Sequence, residues 1–122
     1  MTAERRERDP SCLFCRIVAG EMTSDRLLED DRLVAFRDIA PRAPTHILLV
    51  PREHIPSARE LTEDDGPLLA HLFVTAQTIA AREGISDAGY RLVVNVGEWG
   101  GQSVEHLHLH LLGGRAMTWP PG

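Results

Sequence analysis

The chain has 122 residues, of which 43% are hydrophobic and 25% are charged, a composition typical of one globular domain. A formal net charge of −5 argues against a broad nucleic-acid-binding surface, which would be basic. The longest apolar run, residues 47–50, is too short to cross a bilayer, and the N-terminus lacks the apolar stretch of a secretory signal. We therefore expect a cytoplasmic protein that binds neither nucleic acid nor membrane.

The first half of the chain predicts one short helix and three strands. Residues 1–10 are polar and predict a disordered lead-in to a single domain over residues 11–122. Apolar residues between positions 12 and 18 have the spacing of a short amphipathic helix. Residues 27–29 and 33–36 predict two strands joined by an Asp-Asp turn. A proline-containing loop then leads into a buried strand over residues 46–50.

The second half predicts one long helix between β-rich runs. Residues 66–83 carry apolar side chains at helical spacing, which makes this the strongest helix of the chain. Residues 90–96 and 104–112 predict strands, and the glycine-rich segment 97–101 between them predicts a loop. Because strands and helices do not alternate regularly, the order predicts an α+β fold with an antiparallel sheet.

Three histidines alternate with leucines in the run from Glu105 to Leu112. On a strand, His106, His108 and His110 would share one face, while the leucines would pack on the other. Two kinds of chemistry explain such a row: metal ligation, or a neutral imidazole nucleophile beside protonated histidines that donate to phosphate. The preceding Gly100-Gly101-Gln102-Ser103 favours a bound anion, because glycines let backbone N–H groups approach a phosphate closely.

These segments resemble the histidine-triad (HIT) family, and its Hint branch in particular. Residues 106–112 match the family's alternation of histidine with apolar residues. Residues 38–46, residues 93–95, the loop 100–103 and the tail 119–122 also resemble Hint, so the resemblance spans residues 12–122. It implies a HIT-like fold, with an antiparallel sheet of about five strands, one short helix and one long helix.

The resemblance implies a purine nucleoside phosphoramidase-like hydrolase that acts as a homodimer without an organic cofactor. His108 would attack the α-phosphorus of an adenosine 5′-phosphoramidate-type substrate and cleave its P–N bond. The resulting covalent nucleotidyl-histidine would be hydrolysed by water. His110 would hold the phosphate, Ser103 would face the leaving group, and His106 and His46 would complete the histidine cluster.

The resemblance also implies a pocket for purine nucleotides such as AMP, GMP or adenosine phosphoramidates. Asp38 would bind the ribose hydroxyls, Asn95 and Gln102 would reach the ribose or phosphate, and Trp119 would approach the partner's site. His71 matches no catalytic position and is expected to be structural. On sequence alone, the apolar residues assigned to the purine pocket are ordinary core candidates: Leu13, Phe14, Ile17, Phe36, Ile39 and Leu48.

Both cysteines of the chain lie in one Cys-x-x-Cys segment. In a reducing compartment, this spacing alone suggests metal binding or free thiols before it suggests a disulfide. The family resemblance adds two histidines, because Cys12, Cys15, His54 and His106 would form a Cys₂His₂ set suited to a structural zinc ion. His106 would then belong to the metal site, leaving His108, His110 and Ser103 for the chemistry.

Three alternative functions remain open from the sequence. The chain could be a non-catalytic nucleotide-binding regulatory or scaffold protein, although binding alone needs no nucleophile. It could hydrolyse dinucleoside polyphosphates, a substrate class of close relatives. It could also be a zinc hydrolase in which the histidine row holds the metal, and chelation would then abolish activity outright.

Overall fold

One antiparallel sheet of five strands forms the centre of the structure, a computed structural model that describes residues 6–122. The elements in chain order are α1 (Leu13–Val18), β1 (Arg26–Glu29), β2 (Leu33–Arg37), β3 (Thr45–Pro51), two short 3₁₀ helices (Ala58–Glu60 and Glu63–Asp65), α2 (Gly66–Arg82), β4 (Tyr90–Val93) and β5 (Leu109–Gly113). The strand order β1-β2-β3-β5-β4 leaves β1 and β4 at the edges. These elements confirm the predicted α+β fold, with its antiparallel sheet, one short helix and one long helix. Among the described residues, no helix is long and apolar enough to cross a membrane.

Side chains of the central strands alternate between two cores, because successive residues of a strand point to opposite faces of the sheet. On β2, Leu33 and Ala35 pack into the core that contains α2, whereas Val34 and Phe36 pack into the core that contains α1. β3 repeats this alternation and is buried along its whole length. Each helix therefore covers one face of the sheet. The alternating leucines of the histidine run pack into the α2 core, whereas His106 and His108 lie on the α1 side.

The long helix α2 follows the signals in its sequence. Asp65 is its N-cap residue, and Pro67 lies in the first turn, where a missing N–H is tolerated. The chain leaves the helix at Gly84 with a φ of +73°, a conformation that glycine adopts without strain. On α2, Nε2 of His71 lies 2.6 Å from a carboxylate oxygen of Asp30, so this histidine joins the helix to the turn between β1 and β2.

Two strands are shorter than the sequence predicted. β5 spans Leu109–Gly113 rather than residues 104–112, and β4 ends at Val93 rather than at residue 96. On β3, Pro51 has no N–H with which to continue the ladder towards earlier residues of β5. The prediction failed because strict alternation indicates an extended backbone but does not say whether a partner strand is present.

Residues 104–108 nevertheless keep the predicted alternation of faces. The Leu107 N–H donates to the Ile55 carbonyl (2.6 Å). This segment is therefore hydrogen-bonded to the part of the chain that comes after β3, and not to β3 itself. Leu107 packs into the α2 core, whereas His106 and His108 lie against Phe14 of α1. The histidine row therefore still faces one side of the molecule.

The N-terminal segment differs from the predicted lead-in over residues 1–10. Residues 1–5 lie outside the described part of the chain, but from Arg6 onward the segment contacts the domain. The Arg6 guanidinium lies 2.7 and 2.8 Å from the two carboxylate oxygens of buried Asp65, and the Arg6 carbonyl accepts the His54 N–H (3.0 Å). A bidentate pair with a buried carboxylate fixes a segment whose polar composition alone predicted disorder.

Candidate active site and metal centre

A pocket of about 230 Å³ lies between α1, β2 and the histidine run. Its walls are mainly apolar, and its polar side chains include Asp38, Ser103, His108 and His110. A larger cleft of about 460 Å³ lies beyond the end of α1 but contains none of the histidines. All six apolar residues assigned to the purine pocket line the smaller pocket: Leu13, Phe14, Ile17, Phe36, Ile39 and Leu48.

The hydrogen bond of His108 determines which of its ring nitrogens is basic. His108 Nδ1 lies 2.7 Å from the His106 carbonyl oxygen, and a carbonyl only accepts hydrogen bonds. Nδ1 must therefore carry the proton, which leaves the lone pair on Nε2. Burial lowers the pKa of His108, so the ring is held neutral. A neutral, oriented imidazole in the wall of a pocket is suited to nucleophilic attack.

A second chain of hydrogen bonds fixes the tautomer of His110. The Arg42 backbone N–H donates to His46 Nδ1 (3.0 Å), so His46 carries its proton on Nε2. His46 Nε2 is 2.9 Å from His110 Nδ1 and donates to it. His110 is then protonated on Nε2, which gives the pocket one ring N–H donor.

The three histidines of this region, His46, His108 and His110, are here called the pocket histidines. Burial, followed by the nearby His108 and His46, lowers the pKa of His110 to about 4. Burial also lowers the pKa of His46, against the opposing effect of Asp38. The sequence suggested that protonated histidines would donate to phosphate, whereas these shifts favour a donor that is neutral in the free protein.

Asp38 follows β2 and lines the pocket with its carboxylate. One carboxylate oxygen accepts the Ala40 N–H (2.9 Å), which is the local turn bond expected of an aspartate at this position. The other lies 3.5 Å from His46 Nε2. Asp38 therefore has both a turn-forming role and a place in the pocket wall.

The amide of Gln102 lies outside this pocket and braces the preceding loop. Its oxygen accepts the Gly97 N–H (3.1 Å), and its nitrogen donates to the carbonyls of Pro56 (2.7 Å) and Val104 (3.0 Å). These three bonds occupy the groups that were expected to face a phosphate. They hold in place the loop that ends at Ser103.

Asn95 and Trp119 also lie outside the pocket of the single chain. The Asn95 amide nitrogen donates to the Gly100 carbonyl (2.7 Å), so this side chain closes the glycine-rich loop. Trp119 lies on the irregular tail and is 83% exposed. The role expected for Trp119 involves a partner's site, which one chain cannot display.

The two cysteines, His54 and His106 form one compact group, here called the metal cluster, whose possible ligand atoms all lie within 4.8 Å of one another. The Nδ1 atoms of His54 and His106 are 3.3 Å apart. Cys12 Sγ is 3.4 Å from His106 Nδ1, and Cys15 Sγ is 3.3 Å from His54 Nδ1 and 3.5 Å from His106 Nδ1. The structure thus brings together all four residues of the predicted Cys₂His₂ set.

These distances fit a tetrahedral metal ion. Zinc–ligand bonds of about 2.0 Å to nitrogen and about 2.3 Å to sulfur would place two nitrogens about 3.3 Å apart, and a nitrogen and a sulfur about 3.6 Å apart. The outward Nε2 of His106 is 2.8 Å from the Pro51 carbonyl, which fixes the ring with Nδ1 facing the cluster. Four protein donors would leave no open position, as in structural zinc sites.

His106 connects the metal cluster to the pocket histidines. Its ring belongs to the cluster, and its carbonyl holds the Nδ1 proton of His108. The Phe14 ring, between the two cysteines in sequence, lies edge-on to both rings, with centroids 6.0 Å from His106 and 5.0 Å from His108. A second group of possible ligand atoms, all within 4.8 Å of one another, comes from Asp38, His46 and His110. In this group, however, the His46 and His110 rings are hydrogen-bonded to each other.

Several residues of the site have no signal in the sequence. Met22, Thr23 and Val104 also line the pocket, although none belongs to a recognisable motif. The Arg42 backbone N–H, which orients His46, depends on the local loop conformation rather than on side-chain identity. Local sequence patterns do not reveal such contacts between segments.

Comparison with known proteins identifies the family. The model described as "Scavenger mRNA decapping enzyme C-term binding" matches residues 11–118. The chain is 50% identical over 110 residues to an uncharacterized HIT-like protein of Synechococcus elongatus, covering 90% of this chain and 96% of the relative. It is 44% identical over 122 residues to a 14 kDa zinc-binding protein of Zea mays, covering 98% of this chain and 94% of the relative.

A crystal structure of a HIT family hydrolase from Legionella pneumophila is also similar, with a TM-score of 0.91 and 53% identity. The match covers 92% of this chain and all of that one. The similarity thus extends over both the sequence and the fold of nearly the whole domain. The chain belongs to the histidine-triad (HIT) family, as its histidine run predicted.

Proposed function

We propose that this protein is a purine nucleotide hydrolase that cleaves P–N bonds of adenosine 5′-phosphoramidate-type substrates through a covalent nucleotidyl intermediate on His108. The observation that carries the proposal is the 2.7 Å bond from His108 Nδ1 to the His106 carbonyl. It leaves a neutral Nε2 with a free lone pair on a residue of the pocket wall. Nucleotide binding alone does not need such a nucleophile.

In the proposed reaction, the His108 Nε2 lone pair forms a bond to the α-phosphorus while the bond from phosphorus to nitrogen breaks. The departing nitrogen takes the electron pair of that bond and leaves as an amine, protonated by the Ser103 hydroxyl, which regains a proton from solvent water. The His110 Nε2–H donates to a phosphate oxygen as negative charge develops. Water then attacks the phosphorus, releasing AMP and restoring neutral His108. Hydrolysis of the intermediate in this second step returns one proton to solvent.

The pocket suits a purine nucleoside in both shape and polarity. Phe14 and Phe36, with ring centroids 5.7 Å apart, provide aromatic surface for a flat base. Asp38 lines the same pocket and would accept hydrogen bonds from the ribose hydroxyls. AMP, GMP and adenosine phosphoramidates share the purine, the ribose and the α-phosphate that these groups would contact.

We also propose that the metal cluster holds one structural zinc ion. The supporting observations are the near-tetrahedral spacing of its four donors and the name of the maize relative, a zinc-binding protein. When bound, zinc would cross-link α1 to the segments that carry His54 and His106, and would supply stability rather than a nucleophile. Buried thiols without a disulfide are consistent with a cytoplasmic protein.

We further propose a homodimer in which the sheet continues across a twofold axis. β4 is an edge strand, and nearby Val94 and Trp99 are exposed by 38% and 102%. An unpaired edge beside exposed apolar side chains favours pairing with a second copy. Light scattering at micromolar concentration should give twice the chain mass of 13.5 kDa. A monomer mass would contradict the dimer without affecting the proposed chemistry.

The substrate class is tested by steady-state hydrolysis of adenosine phosphoramidate alongside diadenosine polyphosphates. We expect faster release of AMP from the phosphoramidate, because a pocket of about 230 Å³ fits one nucleoside and its phosphate better than two. Faster hydrolysis of the diadenosine polyphosphates would show that the protein is a dinucleoside polyphosphate hydrolase instead. Tight AMP binding with no turnover of either substrate would favour the non-catalytic alternative.

A further inference from the structure

Each ligand side chain of the metal cluster also bonds or faces a group that is not one of the four possible ligand atoms. Cys12 Sγ accepts the Cys15 N–H (3.3 Å), and the outward nitrogen of His106 bonds the Pro51 carbonyl (2.8 Å). The remaining two ligands face one residue. The Asp9 N–H donates to Cys15 Sγ (3.5 Å), and the Asp9 carboxylate lies 4.0 Å from the outward Nε2 of His54.

The segment that carries Asp9 is fixed at both of its ends. Towards α1, the Asp9 carbonyl accepts the Cys12 N–H (3.0 Å). Towards the N-terminus, the Arg6 carbonyl accepts the His54 N–H (3.0 Å), while the Arg6 guanidinium pairs with Asp65 at the start of α2. The Arg6 side chain is only 8% exposed, so this pair is shielded from water.

We propose that Asp9 is a positioning residue for the metal cluster, held in place by Arg6. Its N–H would stabilise the Cys15 thiolate, and its carboxylate would orient His54 so that Nδ1 faces the ion, as outer-shell carboxylates do for histidine ligands. The inference rests on the metal centre proposed above. It assigns a function to a segment that the sequence predicted to be a disordered lead-in.

The test measures metal affinity and ligand geometry in the full-length protein, using Co²⁺ as the probe. Asp9→Asn removes the carboxylate charge while leaving the backbone N–H and an oxygen that can accept from Ser11. We expect its Co²⁺ affinity, measured by competition with a chelator, to fall about tenfold to hundredfold. The thiolate charge-transfer bands and the tetrahedral d–d bands should remain, because the four ligands are unchanged. Arg6→Gln should produce a smaller loss.

Two matched controls separate positioning of the metal from local folding. Ser11→Ala removes the hydroxyl that donates to Asp9 (2.6 Å) but leaves the carboxylate, and should keep wild-type affinity. Arg8→Gln removes an exposed cation of the same segment whose ion pair within residues 6–122 is with Glu21, away from the metal cluster, and should also be neutral. If Asp9→Asn does not fold, Asp9→Ser gives the same comparison, since it too lacks a carboxylate.

The outcomes distinguish this inference from the proposal on which it rests. If wild-type protein binds neither Co²⁺ nor Zn²⁺ with thiolate bands, both the metal centre and the role of Asp9 are wrong. If the wild type binds and Asp9→Asn binds equally tightly, the centre stands and the role of Asp9 is overturned. Equal losses in Asp9→Asn and Ser11→Ala would also overturn it, because they would point to the local turn alone.

Discussion

The metal cluster and the pocket histidines lie side by side, and they differ in how their ring nitrogens are used. In the metal cluster, the Nδ1 atoms of His54 and His106 converge to 3.3 Å with two sulfurs around them. Among the pocket histidines, His108 Nδ1–H donates to a backbone carbonyl, and His46 Nε2–H donates to His110 Nδ1. Convergent lone pairs favour a cation, whereas an ordered series of donors and acceptors leaves one lone pair and one N–H for a substrate.

This difference shows that the backbone around each histidine decides its chemistry. The Pro51 carbonyl accepts from His106 Nε2 and so turns the Nδ1 lone pair of that ring towards the cluster, whereas the Arg42 N–H donates to His46 Nδ1 and so turns the Nε2–H of that ring towards His110. His106 and His110 lie on the same face of one segment but have different roles. Residue type and spacing did not separate them, because the deciding groups lie on other segments of the chain.

The largest expected effect comes from His108→Ala, which should affect the pocket histidines alone. We expect kcat to fall on the order of a millionfold, the scale on which other enzymes respond to loss of a nucleophile. AMP binding and metal content should be retained, since Asp38 and the cluster ligands are untouched. Stopped assays with adenosine phosphoramidate measure the loss. Activity close to that of wild type would remove His108 as nucleophile.

Cys12→Ala combined with Cys15→Ala should affect the other region. We expect a melting temperature lower by about 10 °C, equivalent to about 2–3 kcal/mol for a domain of this size. Some turnover should survive, because His108, His110 and Ser103 remain in place. Elemental analysis of protein purified without chelators should give one zinc per wild-type chain and none in the variant. Turnover lost in strict proportion to zinc while the fold survives would contradict a purely structural metal.

Asp38→Ala should weaken nucleoside binding more than phosphate binding. Loss of hydrogen bonds to a charged acceptor is expected to cost about 2 kcal/mol, or roughly 30-fold in the Kd for AMP. Inorganic phosphate should bind with unchanged affinity, since its contacts lie among the histidines. Titration calorimetry with both ligands makes the comparison, and equal losses would argue against a ribose contact.

The smallest expected effect is on how the free energy of unfolding changes with pH, and it arises from His110. This side chain faces His46, His108 and Asp38. Burial lowers the pKa of His110 from 6.5 to about 4, so the unfolded chain binds more protons than the native state between these values. The free energy of unfolding should therefore fall as pH drops through this window. His110→Gln should show a shallower fall in urea unfolding. Identical slopes would mean that His110 is not held neutral.

The sequence predicted most of the fold, because helical spacing and alternation directly encode which side chains are buried. It predicted the members of both clusters through the family resemblance. It did not predict that β5 begins only at Leu109, that Gln102 braces a loop, or that Arg6 and Asp9 bond to residues of the metal cluster. Each of these depends on hydrogen bonds between distant segments, for which local composition carries no signal.

The covalent intermediate on His108 is tested most directly by acid quenching of the enzyme during turnover of an adenosine phosphoramidate labelled in the nucleotide. The covalent mechanism predicts a burst of label covalently bound to protein, a mass increase equal to one adenylyl group, and its location on His108 after peptide mapping. His108→Ala should show no adduct while still binding AMP. Rapid turnover by the wild type with no protein-bound label at any quench time would contradict the covalent mechanism.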